Sequence, residues 1–353
     1  MQKYGKNTTF ALGNLSGMKF LKIIFLVFAC CFIGSLQAHE RDSLRSALSR
    51  MDEKLYKRQR SGFIDPDYIE VPEYRWTLKS IASMGWSGFG VTRINNGEGA
   101  VMQLTSVPSF NQGISVSWRN LTIGAGFNPF QLFKQTRAPD QNYNISVFGN
   151  RMGMSAAIRI TESLHGIVTA YPDSLVSEIP VGYCSDISAD FDAWYALFGD
   201  EFSYPAAFTQ SQVQRRSAGS PLFSIAIRNG LTHLDRIEHL DNEPMLLWTN
   251  MLGLGAGYGH NFVTWHHWLI HVSTIGNITV LKYNRVDTDT GSEVLKGTFP
   301  DFVGSAQMAA LHWTGRFFYG FNATFRSALY GKLSTGIYNN NYLDTRIFFG
   351  IRL

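Results

Sequence analysis

From Tyr74 onward, apolar and polar residues alternate with a period of two, the spacing of a strand with one apolar face. Tyr74, Trp76 and Leu78 oppose Arg75, Thr77 and Lys79, and after Gly85 the segment Trp86 to Ile94 is expected to return as the hairpin partner. Ile114, Val116 and Trp118 hold even parity whereas Leu121, Ile123, Ala125 and Phe127 hold odd parity, which predicts a tight turn at Arg119-Asn120. The same switch, from Ile145 and Val147 to Met152, Met154, Ala156 and Ile158, predicts a turn at Gly149-Asn150-Arg151. Further strands are expected at 101–107, 192–199, 219–229, 250–258, 265–284 and 304–313.

Near the end, Phe317, Tyr319, Phe321, Ala323 and Phe325 face one way, while Arg316, Gly320, Asn322, Thr324 and Arg326 face the other. Arginines are expensive in a packed sandwich core and easily solvated in a wet lumen. The pattern therefore predicts an all-β fold, an antiparallel transmembrane β-barrel. In the last ten residues Thr345, Ile347, Phe349, Ile351 and Leu353 share the apolar face, opposite Asp344, Arg346, Gly350 and Arg352. Such a strand resembles the signal read by the barrel-insertion machinery, with Leu353 in place of the usual terminal aromatic. On this register Phe349→Arg, toward lipid, should lower insertion, and Phe348→Arg, toward the lumen, should be tolerated better.

The gaps at 128–141, 162–190, 230–248, 285–303 and 328–342 are expected to be extracellular loops, and the short turns periplasmic. The strand number should be even, 14 with 12 as the alternative. The segment Phe202 to Ser220 decides between them. After Phe208 it is polar on both parities, with Gln210, Gln212, Gln214 and Arg216 on one and Ser211 and Arg215 on the other. It is expected in the lumen or at the rim, either as a constriction or ligand contact (Gln210, Gln214, Arg215, Arg216) or as a turn with solvated arginines.

The N-terminal sixty residues read differently. Met18-Lys19-Phe20-Leu21-Lys22 opens a basic region followed by an apolar run from Ile23 to Gly34 and by Ser35-Leu36-Gln37-Ala38, the form of a secretion signal cleaved after Ala38. A lipoprotein acylated at Cys30 or Cys31 is the competing reading, although it would cut the apolar run in half. Residues 1–38 are thus leader and signal, 39–72 a periplasmic extension and 73–353 the barrel. Within the extension, His39 to Arg60 places Leu44, Leu48, Met51 and Leu55 at helical spacing, consistent with a short amphipathic helix or a loose arm. Pro66 and Pro72 then punctuate an extended lead into the first strand.

The leader changes the charge argument, because Lys3, Lys6, Lys19 and Lys22 belong to it. The 31 basic residues of the whole chain fall to 27 against 27 acidic ones, so the expected mature protein is formally neutral and offers no case for nucleic acid. Only Cys184 remains of the three cysteines, which excludes an internal disulfide in the mature chain. No later stretch approaches the roughly 18 consecutive apolar residues of a membrane helix. Lipid must be met by strands or not at all, and the 14% aromatic content suits interfacial girdles.

The segment Phe202-Ser203-Tyr204-Pro205-Ala206-Ala207-Phe208-Thr209-Gln210-Ser211, with Gln214-Arg215-Arg216-Ser217-Ala218-Gly219-Ser220 after it, is the least generic in the chain. It resembles a signature of a Bacteroidota family of domains of unknown function, number forty-four twenty-one. Matching pieces are Asp67-Tyr68-Ile69 before Trp76-Thr77, Gly124-Ala125-Gly126-Phe127-Asn128-Pro129, and Gly257-Tyr258-Gly259-His260-Asn261-Phe262-Val263 before Trp268-Leu269. The resemblance runs from about residue 65 to the end. It implies an outer-membrane barrel and supplies no catalytic residues.

Chemistry is sparse. His267 and His271 share a face of one expected strand but lie about 13 Å apart at strand rise, too far for one metal site. Gly253, Gly255 and Gly257 alternate with Leu254, Ala256 and Tyr258, so they make room on the lumen face rather than form a phosphate loop. Trp265, Trp268, Trp313, Phe317 and Tyr319 are placed to populate interfacial belts or to stack sugars. Neither a cofactor nor a metal is implied. The reading is an outer-membrane passive pore or scaffold whose lumen is lined by Arg75, Lys79, Arg159, Arg228, Arg316, Arg326, Arg346 and Arg352, locally positive and open to small anionic solutes. Its expected partners are outer-membrane lipid and the insertion machinery. The alternative is a lipid-modifying barrel enzyme, a hydrolase or acyltransferase pairing a histidine such as His267 or His312 with a lumen serine.

Overall fold

A computed structural model of the protein describes residues 46, 49–50, 52–53, 64–95, 98–119, 121–127, 141–237, 242–264, 267–294, 301–332 and 336–353. The leader lies outside the described residues, as do Leu44, Leu48, Met51 and Leu55. Ser46, Ser49, Arg50, Asp52 and Glu53, the described residues of the expected N-terminal helix, are helical.

The rest is a barrel. Its strands are β2 (Trp76–Asn95), β4 (Ser109–Trp118), β5 (Leu121–Phe127), β6 (Gln141–Phe148), β7 (Met152–Tyr171), β8 (Leu175–Ala196), β10 (Ala218–Leu234), β11 (Met245–Thr264), β12 (Trp268–Lys282), β15 (Phe302–Thr314), β16 (Phe317–Lys332) and β17 (Gly336–Arg352). Each pairs antiparallel with the next, and β17 closes on β2, so the ring has twelve strands, the smaller of the two expected numbers. Two strands are lost from fourteen because the segments on either side of Gly85 are one strand and because the strand expected at 101–107 pairs with two others off the ring path, and the expected loops also shorten. Gly85 is no turn, and β2 runs straight through it. The supposed loop 162–190 is strand on both sides of a bend at 172–174. Residues 328–342, also expected as loop, are largely the ends of β16 and β17.

The alternating pattern becomes the two faces of this wall. Ile114, Ile347 and Phe349 are 63%, 67% and 53% exposed on the outside, whereas Phe348 is 3% exposed on the inside. An outer surface so rich in apolar side chains is the surface of a transmembrane barrel. At one end sit the chain terminus and the tight turns, where Arg75 and Trp76 donate to the Leu353 carbonyl. The other end carries the longer connections, including the hairpin of β13 (Arg285–Thr288) and β14 (Gly291–Val294).

The two ends are built differently. Below, β2 pairs with β4 over residues 76–85. Above, the same strand pairs with β3 (Glu98–Ser106), whose other edge pairs with β7 at 164–171. There a single strand spans what β4, β5 and β6 fill below, so the ring narrows. Register shifts in β7 between Thr161, Leu164 and Gly166 accompany the change. A bulge of this kind reverses which parity faces inward. Leu164 is thereby turned into the interior. With Phe89, Met102, Leu104, Ile179, Cys184, Leu234, Leu247, Met251, Tyr330 and Tyr338 it forms a buried apolar cluster at the loop end.

Candidate functional site

Between β8 and β10 the chain does not turn at the rim but folds into the barrel. Leu197 to Ser217 contains α1 (Tyr204–Phe208) and β9 (Val213–Gln214), the latter paired with β1 (Ile69–Glu70). Local chemistry shapes this plug. Ser203 caps the helix by accepting from the Ala206 amide at 3.1 Å, and Pro205 occupies the first turn, where a missing amide is harmless. Thr209 Oγ1 donates to the Pro205 carbonyl at 3.1 Å, and Gln210 reverses the chain at a φ of 57°. Ala206 and Ala207 are small enough to pack on Leu269, Leu311, Phe318 and Phe348 of the wall. Gly259 answers on the wall side, since a Cβ there would approach Phe202 Cζ to 3.0 Å.

The plug is also bonded to the wall through polar atoms. Lys79 Nζ donates to the Phe208 carbonyl at 2.9 Å and to Gln210 Oε1 at 3.0 Å, and Arg352 Nε donates to the Gln210 carbonyl at 3.1 Å. Asn261 Nδ2 donates to the Ser203 carbonyl at 2.8 Å and to Gln214 Oε1 at 2.9 Å. Tyr204 lies on Trp194 with ring centroids 4.3 Å apart, stacks on Phe208 at 4.9 Å, and donates its hydroxyl to Gln307. Burial pushes its phenol above the ordinary tyrosine range. Gln210 and Gln214 are fully buried within the plug. Arg215 and Arg216 are not: they point outward and pair with Glu70 at 2.8 Å and Asp67 at 3.5 Å.

Above the plug is a cavity of about 150 Å³, lined in part by Lys79, Arg159, Arg326, Arg346, Tyr342 and Asp192. The structure thus brings Lys79, Arg159, Arg326 and Arg346 together around one space, with Arg228 in the smaller cavity adjoining it and Arg352 beneath the plug. Arg75 and Arg316 do not belong there. Both are exposed at the turn end, where Arg316 lies 5.6 Å from the Tyr74 ring.

The expectation of a locally positive lumen also changes. Arg159 pairs with Asp190 at 2.6 Å, Arg228 with Asp192 at 2.5 Å, and Arg326 with Asp190 at 3.7 Å and Asp192 at 3.4 Å. Arg346 pairs with Asp344 on its own strand. Asp190 also faces Arg228 at 3.7 Å, so three guanidinium groups converge on one buried carboxylate. Buried charges persist when paired in this way, and loss of one partner leaves the others uncompensated. The aspartates were missed in the sequence although Asp186, Asp190 and Asp192 share one parity of β8. That spacing is the signal, and it was hidden because 162–190 read as loop.

The histidines disperse. His267 occupies a turn at a φ of 65°, and His260 lies against Phe262 at 4.3 Å. His312 contacts Trp268 at 5.1 Å and Tyr319 at 5.2 Å. Only His271 among the described histidines is completely enclosed, facing the plug. No cluster of metal-ligand type occurs among the described residues.

Solved structures with a related fold include the outer membrane protease OmpT from Escherichia coli, at 8% identity over 84% of this chain and 100% of that one, with a TM-score of 0.40. The translocator domain of autotransporter NalP from Neisseria meningitidis is 10% identical over 88% of this chain and 98% of that one, at 0.30. The Pseudomonas putida toluene transporter TodX is 7% identical over 80% of this chain and 90% of that one, at 0.27. No curated protein matches the chain in sequence. The family model described as "Domain of unknown function (DUF4421)" matches residues 63–352, and the chain belongs to that family.

Proposed function

We propose that this protein is an outer-membrane barrel with a closed interior, acting as a membrane-embedded scaffold in place of an open pore. The plug between β8 and β10 carries the reading: Gln210, Gln212 and Gln214 are at most 1% exposed inside a barrel whose wall is bonded to them. The apolar cluster at the loop end supports it from the opposite side, because a channel for water or ions needs continuous polar space and the cluster interrupts it. Asp190, Asp192 and Asp344 offset part of the positive charge of Arg159, Arg228, Arg326 and Arg346, which weakens the case for an anion passage. Lipid contacts the outer apolar face, and the paired terminal strand β17 is the segment the insertion machinery would read.

Planar-bilayer recording of the refolded protein tests this. The wild type should insert without discrete conductance steps. Reproducible stepwise current from the wild type would replace the scaffold with a pore.

A further inference from the structure

Beyond the closed-barrel reading, the hydrogen bonds around His271 have a fixed polarity that can be followed atom by atom. The Ser203 backbone amide donates to Gln214 Oε1 at 2.9 Å, so the other end of that side chain must be its nitrogen. Accordingly Gln214 Nε2 donates to the Glu201 carbonyl at 2.6 Å and the Arg216 carbonyl at 3.0 Å. Asn261 then faces two acceptors, the Ser203 carbonyl and Gln214 Oε1, and both require its Nδ2. Its Oδ1 is left toward His271 Nδ1 at 2.7 Å, and an amide oxygen can only accept. Nδ1 therefore carries the proton. In the neutral ring Nε2 is a lone pair, and it lies 2.9 Å from Ser273 Oγ, which must donate to it.

This is an oriented base holding the proton of a hydroxyl, with a third group holding the base: the general signature of an activated nucleophile. It is built on rigid wall. Asn261 of β11 is the direct cross-strand partner of His271 of β12, and Ser273 is two residues along on the same inner face. The group is enclosed: Asn261, His271 and Ser273 are 0%, 0% and 3% exposed, and the Tyr204 hydroxyl sits 3.4 Å from Ser273 Oγ. Tyr204 also lines the cavity above the plug, as does Gln307, the cross-strand neighbour of Ser273. The tyrosine thus stands between the serine and this cavity.

We propose that Ser273, His271 and Asn261 form a masked acyl-transfer site for small carboxylic esters, covered by Tyr204 and uncovered when the plug moves. Ser273 Oγ bonds to the ester carbonyl carbon while its proton passes to His271 Nε2. The carbon–oxygen bond to the alcohol breaks, and the departing alkoxide takes that proton. Water then gives a proton to Nε2 and its oxygen to the acyl carbon, releasing the carboxylic acid as Oγ recovers its proton. Asn261 holds the imidazole and its tautomer throughout. Gln307 presents its Oε1 to the Tyr204 hydroxyl, and once released from it a half-turn of the amide would bring Nε2 round to donate to the oxyanion.

A fluorophosphonate probe, with peptide mass mapping, tests the proposal on the full chain in detergent micelles. Tyr204→Ala should acquire an adduct at Ser273 at least about 10-fold faster than the wild type, and Tyr204→Ala with His271→Gln should lose about 100-fold of that rate. Heat-modifiable mobility confirms that each variant retains its barrel, and p-nitrophenyl acetate hydrolysis should rise and fall with labelling. A folded Tyr204→Ala barrel with no Ser273 adduct, or one whose labelling ignores His271, overturns the assignment and leaves the three residues as a latch for the plug. If Tyr204→Ala does not fold, Lys79→Met supplies the same comparison, since it releases the plug at Phe208 and Gln210 without touching Ser273, His271 or Asn261, and it should likewise speed His271-dependent labelling of Ser273.

Discussion

The two ends of this barrel are filled in opposite ways. At the loop end the wall itself narrows, and apolar side chains from β2, β3, β7, β8, β10, β11, β16 and β17 meet in one cluster. At the turn end the wall stays wide, and a separate segment enters to be held by Lys79, Asn261 and Arg352. The first closure is made by burial, which is non-directional and continuous with the fold. The second is made by a separate segment that combines packing of Phe202, Tyr204, Ala206 and Ala207 on the wall with directional hydrogen bonds, individually worth about 0.5 to 1.5 kcal/mol net. The comparison teaches that the loop-end closure, built from the wall strands themselves, is inseparable from barrel stability, whereas the plug, a segment outside the ring, can loosen while the barrel stands.

The largest effect is expected where the two regions meet, at Asp190. Asp190→Asn strands Arg159 and leaves Arg228 and Arg326 to share Asp192, and it should cost about 3 to 5 kcal/mol, read as earlier urea unfolding in micelles. Next comes the apolar end. Leu247→Ala opens a cavity in the cluster and should lose about 2 to 5 kcal/mol in the same assay. If Leu247→Ala leaves the unfolding midpoint unchanged, the loop-end cluster is not a core and the contrast fails.

Lys79→Met should act on the plug alone. It leaves two buried acceptors unsatisfied at about 1 to 3 kcal/mol, raising proteolytic cleavage at Arg215 and Arg216 with the barrel band intact on electrophoresis. The smallest change is expected for Arg215→Ala. Its ion pair with Glu70 is exposed on both sides, so stability should shift by no more than about 1 kcal/mol. A large loss there would mean that β1 and β9 anchor the plug more than the buried bonds do.

The terminal strand sharpens the comparison from another direction. Phe349→Arg faces lipid and should cost about 2 to 4 kcal/mol near the midplane. The sequence suggested that Phe348→Arg would be tolerated better. In the structure Phe348 packs on Phe318, Ala206 and Ala207 under the plug, so the lumen-facing variant should also be damaging, by displacing the plug rather than by failing to meet lipid. Comparable heat-modifiable bands with protease-sensitive plugs only in Phe348→Arg would bear this out.

How much of this was legible before the structure depended on distance from the bulges. The outer faces of β4 to β7 and of β16 and β17 follow simple alternation, and the inner arginines and the turns from β4 to β5 and from β6 to β7 could be read from parity. The odd polarity of Gln210, Gln212 and Gln214 marked a segment that could not face lipid. The loop-end cluster could not be read in the same way. Leu164 carries the opposite parity to Arg159 on β7, and only the register shifts between them put both inside. The Ser273, His271 and Asn261 arrangement was hidden for a different reason. Its members sit on two strands, and their pairing register is set by the whole barrel rather than by local pattern.

The central claim, that the interior is core rather than water-filled passage, is tested most directly by the thiol of Cys184. It is 2% exposed within the loop-end cluster. A small water-soluble maleimide added to isolated outer membranes, followed by mass mapping of the Cys184 peptide, should leave that thiol unmodified in the native barrel and modify it fully after denaturation. Rapid labelling of Cys184 in the native, heat-modifiable barrel would show water where the account places packed side chains, and would contradict it.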